Sequence, residues 1–365
     1  MSALAELPTP AVYVDLDILE GNIAAMAERL KARGLFHRPH LKSHKSVAVA
    51  RRQLAAGAIG VTAAKLSEAE VFVSAGIPNL LLAYPIVGAD KLDRFKALHA
   101  KTDMLVTADS LTAAEGLSAV GVATGKPVSV LIEIDGGLHR SGLQPGGDAL
   151  RFALEARELP GLKIRGLMGY FGNVYKHAHG PDMARAVREE AATMAATARL
   201  FRENGVAADI VSTGSTPAGM YAEALEGVTE VRAGNYVFFD ASGVGIGMAA
   251  ESECALRVVA TVVSVPVPGR ATIDAGTKTL TSDRAHRRDG FGIAVGLPEV
   301  TIAGLNEEHG FLQFDPARIR LRVGDRVELI PNHACVLPNL LDRIAGVRSG
   351  EVVEWLIVDA RGCST

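Results

Sequence analysis

Between Phe36 and Phe239 the sequence alternates short apolar runs with helical segments, eight times over. The runs lie at 36–42, 59–65, 79–85, 103–109, 127–135, 163–170, 208–214 and 229–239. Segments between them, such as LSEAEVFVSAG and ADKLDRFKALHA, carry apolar residues at helical spacing. Ahead of the first run, Leu19, Ile23, Met26 and Leu30 mark one more helix, with Gly34 at its end. Eight strands alternating with helices over about 230 residues point to an α/β fold, a (β/α)8 barrel. An open doubly wound sheet is the competitor. It calls for a glycine-rich turn after its first strand, where this chain has RPHLKSHKS instead.

After about residue 245 the pattern changes. CALRVVATVVSVPVP, RATIDAG, EVTIAGL, GFLQF, DRVELIP and VVEWLIV are strands parted by short turns. The expected division is a barrel over 10–245 and a β-rich domain over 246–365, which residues 1–9 could join. A chain of 365 residues with 48% apolar and 22% charged side chains can bury cores in both. A net charge of −3 argues against coating nucleic acid or an anionic membrane. No apolar run approaches the roughly 20 residues of a membrane span, and MSALAELPTP lacks the features of a secretory signal. Three scattered cysteines suit a reducing, cytoplasmic compartment.

Active residues of a barrel sit at the C-terminal ends of its strands. Lys42 ends the first run, Arg140 follows the fifth, and Tyr170 and His177 follow the sixth. STGST (212–216) follows the seventh; Arg232, Gly234 and Asn235 belong to the eighth. Each has an ordinary explanation. A Ser/Thr/Gly loop before Pro217 is an N-terminal cap; it is also a phosphate cup, with Gly234 able to bring backbone close to the same group. A lysine at a strand end is usually solvated. Among Arg38, His40, His44 and Lys45 it stands in a positive field that favours the neutral amine, the form needed for Schiff-base chemistry. Cup plus lysine suggest pyridoxal 5'-phosphate (PLP). In PNHACVLPNL, His333 and Cys335 at i and i+2 on an expected strand share a face and could hold a metal ion, zinc by their chemistry. A buried cysteine beside a surface histidine is the plain alternative.

In their order, RPHLKSHK, EIDGGLHRSG, VSTGSTPAG, EVRAGNYVFFD, IDAGTKTL, NEEHGFL and GDRVELIPNHAC resemble the fold-type III PLP enzymes. More narrowly they resemble the D-threonine aldolase and D-serine dehydratase family, over residues 9–360. The resemblance implies an alanine-racemase-type barrel with a C-terminal β domain, PLP, a divalent metal (Zn or Mn), a homodimer and a small D-amino acid substrate. It implies that Lys42 binds PLP covalently, that Arg140 contacts the ring with Tyr170 nearby, and that Thr213, Gly214, Ser215, Thr216, Gly234 and Asn235 hold the phosphate. His333 and Cys335 become the metal ligands. His177 falls where the aldolases keep a base, with His179 as its rival. The aldolases often read HCD at the metal, whereas HAC here is similar to the dehydratase branch. The implied activity is retro-aldol cleavage of a D-β-hydroxy-α-amino acid to glycine and an aldehyde. The alternative is dehydration to a 2-oxo acid and ammonia; a racemase or a non-catalytic PLP carrier is more remote.

Overall fold

The structure is a computed structural model describing residues 3–365. It divides into two compact units. One comprises residues 24–42, 49–234 and 363–365; the other takes the chain up to Ile23, residues 43–48 and residues 235–362. No helix is long and apolar enough to cross a membrane, among the described residues.

The chain enters through β1 (Ala11–Asp15) and the helix Leu16–Lys31. Asp15 Oδ1 accepts the backbone N–H groups of Asp17 (3.0 Å) and Ile18 (3.1 Å), which caps the helix start. Leu19, Ile23, Met26 and Leu30 are all buried, as their spacing requires.

The barrel unit carries eight parallel strands: β2 (Phe36–His37), β3 (Val61–Ala63), β4 (Leu80–Pro85), β5 (Met104–Ala108), β6 (Val128–Asp135), β7 (Leu162–Tyr170), β8 (Ile210–Thr213) and β9 (Glu230–Val231). Their order is β2-β9-β8-β7-β6-β5-β4-β3. Ile59 N–H donates to His37 O (2.9 Å) and Thr62 N–H to Pro39 O (2.8 Å), while His40 bridges Thr62. These bonds join the two ends of the sheet and close the barrel. Each of the eight apolar runs supplies one strand. β2 and β9 are the most curtailed, at two residues each. The ladder of β2 with β9 runs over Phe36 and His37, although Arg38 N–H still donates to Val231 O (2.9 Å) and His40 N–H to Ala233 O (3.1 Å), and the chain then turns through Leu41–Ser43. β9 likewise gives way to a turn at Asn235–Val237.

The second unit is built on a nine-stranded sheet. Its strands are β1, β10 (Leu256–Val267), β11 (Arg270–Ile273), β12 (Ile293–Ala294), β13 (Thr301–Leu305), β14 (Gly310–Gln313), β15 (Arg326–Ile330), β16 (Arg343–Arg348) and β17 (Glu351–Ile357). The long path runs β13-β14-β11-β10-β1-β16-β17, with β15 joining β10 to β12. β1 lies antiparallel to β10 and parallel to β16. Tyr13, Val259, Ala345, Val347 and Val352 pack into one apolar cluster across these strands.

Close backbone packing of the barrel's outer layer sets a test. In the helix Leu111–Thr124, a Cβ at Gly121 would lie 2.0 Å from the carbonyl oxygen of Gly161. Gly121→Ala is expected to cost about 1–3 kcal/mol through overpacking, read as a lower urea midpoint at unchanged slope; an unchanged midpoint contradicts the packing.

Candidate active site

Lys42 lies in the turn after β2 and is exposed between the buried Leu41 and Ser43. Its Nζ stands 5.9 Å from the centre of the Tyr170 ring, and the Arg140 guanidinium lies 5.1 Å from the same ring. So three of the expected residues, from the ends of β2, β6 and β7, meet around one phenol. Arg140 is carried on a loop that Asp135 anchors. Asp135 Oδ1 accepts the N–H of Gly137 (2.9 Å) and of His139 (3.0 Å), and Oδ2 pairs with His139 Nδ1 (2.6 Å). Burial pushes the Asp135 carboxyl up, but these bonds outweigh it and leave the group below its ordinary value. His139 itself holds a positive φ of 53°, a strain that the Asp135 contacts offset.

The basic residues around Lys42 have separate tasks. Arg38 is buried and pairs with Glu230 at 3.1 Å, and its Nη1 donates to Asn79 O at 2.6 Å. Its charge is thereby balanced by Glu230 and is not spent on Lys42. His40 Nδ1 accepts the Lys42 backbone N–H at 3.4 Å. Lys45 is buried, with Nζ donating to Ala360 O at 3.4 Å.

The Ser/Thr loop is wholly buried from Ser212 to Thr216. Ser215 caps the short helix Thr216–Met220, its Oγ accepting Ala218 N–H at 3.2 Å. That bond uses a lone pair of the hydroxyl and leaves its proton to donate. Gly214 holds φ +111° and packs on Val231, where an added Cβ would meet Cγ1 at 2.7 Å. Thr213 donates its hydroxyl to Glu190 of the helix Pro181–Glu203. Nearby, Arg232 is buried and donates to Ser212 Oγ and to Gly169 O, both at 2.6 Å. Burial pulls its guanidinium down to about 10, against the pull of Glu230, Glu133 and Glu190 toward the charged form. An accessible amine, a guanidinium, a phenol and a polar loop backed by a buried cation form a donor set that fits the aldehyde, ring and phosphate of PLP. Gly234 is buried two residues past Arg232.

Of the two histidines after β7, His179 is engaged: its Nδ1 lies 2.9 Å from Tyr221 Oη. The His177 ring has no hydrogen-bond partner among the described residues, though its backbone N–H donates to Val174 O at 3.2 Å.

In the second unit, His333 and Cys335 lie not on a strand, as expected, but in the turn after β15, since β15 ends at Ile330 ahead of Pro331, and they are coupled there. Cys335 hydrogen-bonds His333 and holds its imidazole up at about 10, against burial and with further support from Asp283. Burial works to raise the Cys335 thiol, but the cationic imidazole beside it prevails and holds the thiol below its ordinary value. His333 Nδ1 is fixed by Asp283 Oδ2 at 2.7 Å, which would leave Nε2 as the nitrogen able to meet a metal, as in a carboxylate–histidine–metal relay. Asn235 Nδ2 donates to Cys335 Sγ (3.4 Å) and Asp240 Oδ2 (2.7 Å), and the thiol donates to Ser43 Oγ at 3.2 Å. Asn235 thus stands beside the thiol, a contact its sequence position did not suggest. Asp240 further accepts Ala334 N–H (3.0 Å) and Gly243 N–H (3.1 Å), fixing the backbone between the two candidate ligands. Imidazole plus a thiolate-prone cysteine fits a zinc-like ion. No group of three or more His, Cys, Asp or Glu side chains is arranged to hold a metal among the described residues.

Asp283, Glu190 and Asp135 were not singled out from sequence. Asp283 lies 50 residues from His333, so no spacing rule connects them. The raised imidazole of His333 is testable by NMR titration of its ring in metal-free protein. Cys335→Ser and Asp283→Asn are each expected to bring the imidazole down; an unchanged titration in both variants contradicts the coupling.

Residues 14–242 match the family model for the alanine racemase N-terminal domain, and residues 255–347 that for the putative serine dehydratase domain. The chain is 37% identical to a D-threo-3-hydroxyaspartate dehydratase of Delftia sp. (strain HT23), over 91% of this chain and 92% of that protein. It is 34% identical to a D-threonine aldolase of Arthrobacter sp, over 99% of this chain and 94% of that one. Among solved structures, the D-threonine aldolase from Filomicrobium marinum superposes with a TM-score of 0.92 at 32% identity, covering 99% of this chain and 98% of that one. The Delftia dehydratase, solved as a cysteine-to-alanine mutant in the metal-free form, superposes at 0.90 with 34% identity and coverage of 98% and 99%. With its eight-stranded barrel, its β-rich unit and these matches, the chain belongs to the fold-type III PLP enzymes, in the family of the D-threonine aldolases and D-threo-3-hydroxyaspartate dehydratases.

Proposed function

We propose that this chain is a PLP- and divalent-metal-dependent lyase acting on D-β-hydroxy-α-amino acids, with retro-aldol cleavage of the D-threonine type as its reaction. Lys42 would hold the cofactor through its amine, Arg140 and Tyr170 would line the ring, and Ser215 and Thr216 with Gly234 would face the phosphate, Thr213 and Gly214 being held from behind by Glu190. PLP supplies an electron sink for the charge left on Cα when a bond to it breaks. His333 and Cys335 hold a zinc or manganese ion, which supplies Lewis acidity toward the β-hydroxyl. His177 takes the hydroxyl proton at a ring nitrogen, and breaking Cα–Cβ then gives glycine and an aldehyde. The observation that carries this reading is the contrast after β7: the His179 ring is held by Tyr221, whereas the His177 ring keeps its nitrogens uncommitted among the described residues.

Dehydration is the second reading, and Cys335 favours it. A thiolate beside His333 suits zinc, and the Delftia dehydratase has a metal-free form as a cysteine-to-alanine mutant. In that route the Lys42 amine removes the Cα proton, hydroxide leaves, and the products are a 2-oxo acid and ammonia. We also propose a homodimer in a reducing, cytoplasmic compartment, which the three free cysteines support.

Incubation with D-threonine, PLP and Zn or Mn separates the routes. Acetaldehyde with glycine marks the aldolase and 2-oxobutyrate with ammonia the dehydratase; neither pair of products refutes both. His177→Ala is expected to lower cleavage by about 10²–10⁴-fold while His333→Ala and Cys335→Ala deplete bound metal. Unchanged metal content in those two variants refutes the ligand assignment.

A further inference from the structure

The helix Pro181–Glu203 turns a regular apolar stripe inward through Met183, Val187, Ala191, Met194, Ala198 and Phe201, all buried. Glu190 occupies the same stripe, one turn from Val187 and Met194, and is 2% exposed. A carboxyl in a core position costs free energy unless bonds offset it, and an apolar residue of that size would join helix to sheet at lower cost. Its neighbour Glu189 is exposed, so the buried acid is not a consequence of a locally acidic surface.

The Glu190 bonds all go to one place. Its carboxyl accepts the Thr213 hydroxyl and the Gly214 backbone N–H, with the Arg232 guanidinium as the nearby charge. Thr213 ends β8 and is fully buried. Gly214 holds φ +111°, a conformation that needs tethering on both sides. Two of the donors that a phosphate loop could offer are therefore already spent on the helix behind it. What they secure is the direction of the next two residues, Ser215 and Thr216.

We propose that Glu190 is a positioning residue for the cofactor-phosphate loop, and that Thr213 acts through Glu190 and not on the phosphate. This rests on the PLP reading above. Burial holds the Glu190 carboxyl up at about 7, with the Thr213 and Gly214 bonds and Arg232 pulling the other way. A carboxyl so placed carries less negative charge than an ordinary glutamate, which suits a neighbour of a phosphate dianion.

The test titrates cofactor-stripped full-length protein with PLP and with pyridoxal, which lacks the phosphate, following the visible band of the lysine-bound cofactor. Glu190→Ala and Thr213→Val are each expected to weaken PLP binding by about 10-fold and to leave pyridoxal binding unchanged. Combined, they should weaken PLP no more than the worse of the two, because both cut one linkage. Thr213→Ser, which keeps the hydroxyl, should restore wild-type affinity. Thr213→Val is isosteric and gives the answer even if Glu190→Ala does not fold. Equal loss for PLP and pyridoxal, additive losses in the double variant, or unchanged PLP affinity would each overturn the proposal. If wild-type protein binds neither compound, the cofactor reading falls and this inference with it.

Discussion

The barrel depends on a buried ion pair at its seam. Across that seam, between β2 and β3, Ile59 N–H donates to His37 O (2.9 Å) and Thr62 N–H to Pro39 O (2.8 Å), few backbone bonds for a closure. Arg38 supplies the rest. Its Nε meets both oxygens of Glu230 on β9 at 3.1 Å, its Nη1 reaches the carbonyl and side chain of Asn79 ahead of β4, and Ser212 on β8 donates to the same glutamate at 2.7 Å. One guanidinium thus links both sides of the seam. Losing one partner of such a pair leaves the other charged and buried, which costs about 3–5 kcal/mol. Four residues on, the chain releases Lys42 into an exposed position. Holding the seam and exposing the amine are tasks of the same short segment.

That division explains how much of the site could be read in advance. Periodicity exposed the eight-fold beat because it is a local property of each run. Strand ends were less legible: β2 gives way to the turn Leu41–Ser43, and the role of Arg38 is set by Glu230, 192 residues away. β1 shows the same limit. Ala11–Asp15 drew no strand reading from sequence, and it pairs with β10 and β16, a choice made by residues far along the chain. β16 itself escaped notice, since RIAGVR carries arginines at both ends and a central glycine although four of its six residues are buried.

The chemistry divides in the same way. Lys42, Tyr170 and Arg140 announce themselves as polar residues at strand ends, and the structure brings them together. His333 and Cys335 were legible as a pair at i and i+2. The groups that tune them were not. Asp283 orients His333, Asp135 anchors the Arg140 loop, and Glu190 braces Thr213; each is a lone carboxylate in sequence and acquires meaning only through its partner. Sequence thus names the atoms that would touch a cofactor or metal, and tertiary contact selects the carboxylates that hold them in place.

As proposed, a cofactor aldehyde is held by Lys42 and by no other amine. Borohydride reduction of the holoenzyme, followed by proteolysis and mass spectrometry, tests it directly. A pyridoxyl-phosphate adduct confined to the peptide bearing Lys42 is the expected result. An adduct on Lys45, whose Nζ is held by Ala360 O, or on Lys65, whose Nζ sits 4.0 Å over the Tyr84 ring, would contradict the account.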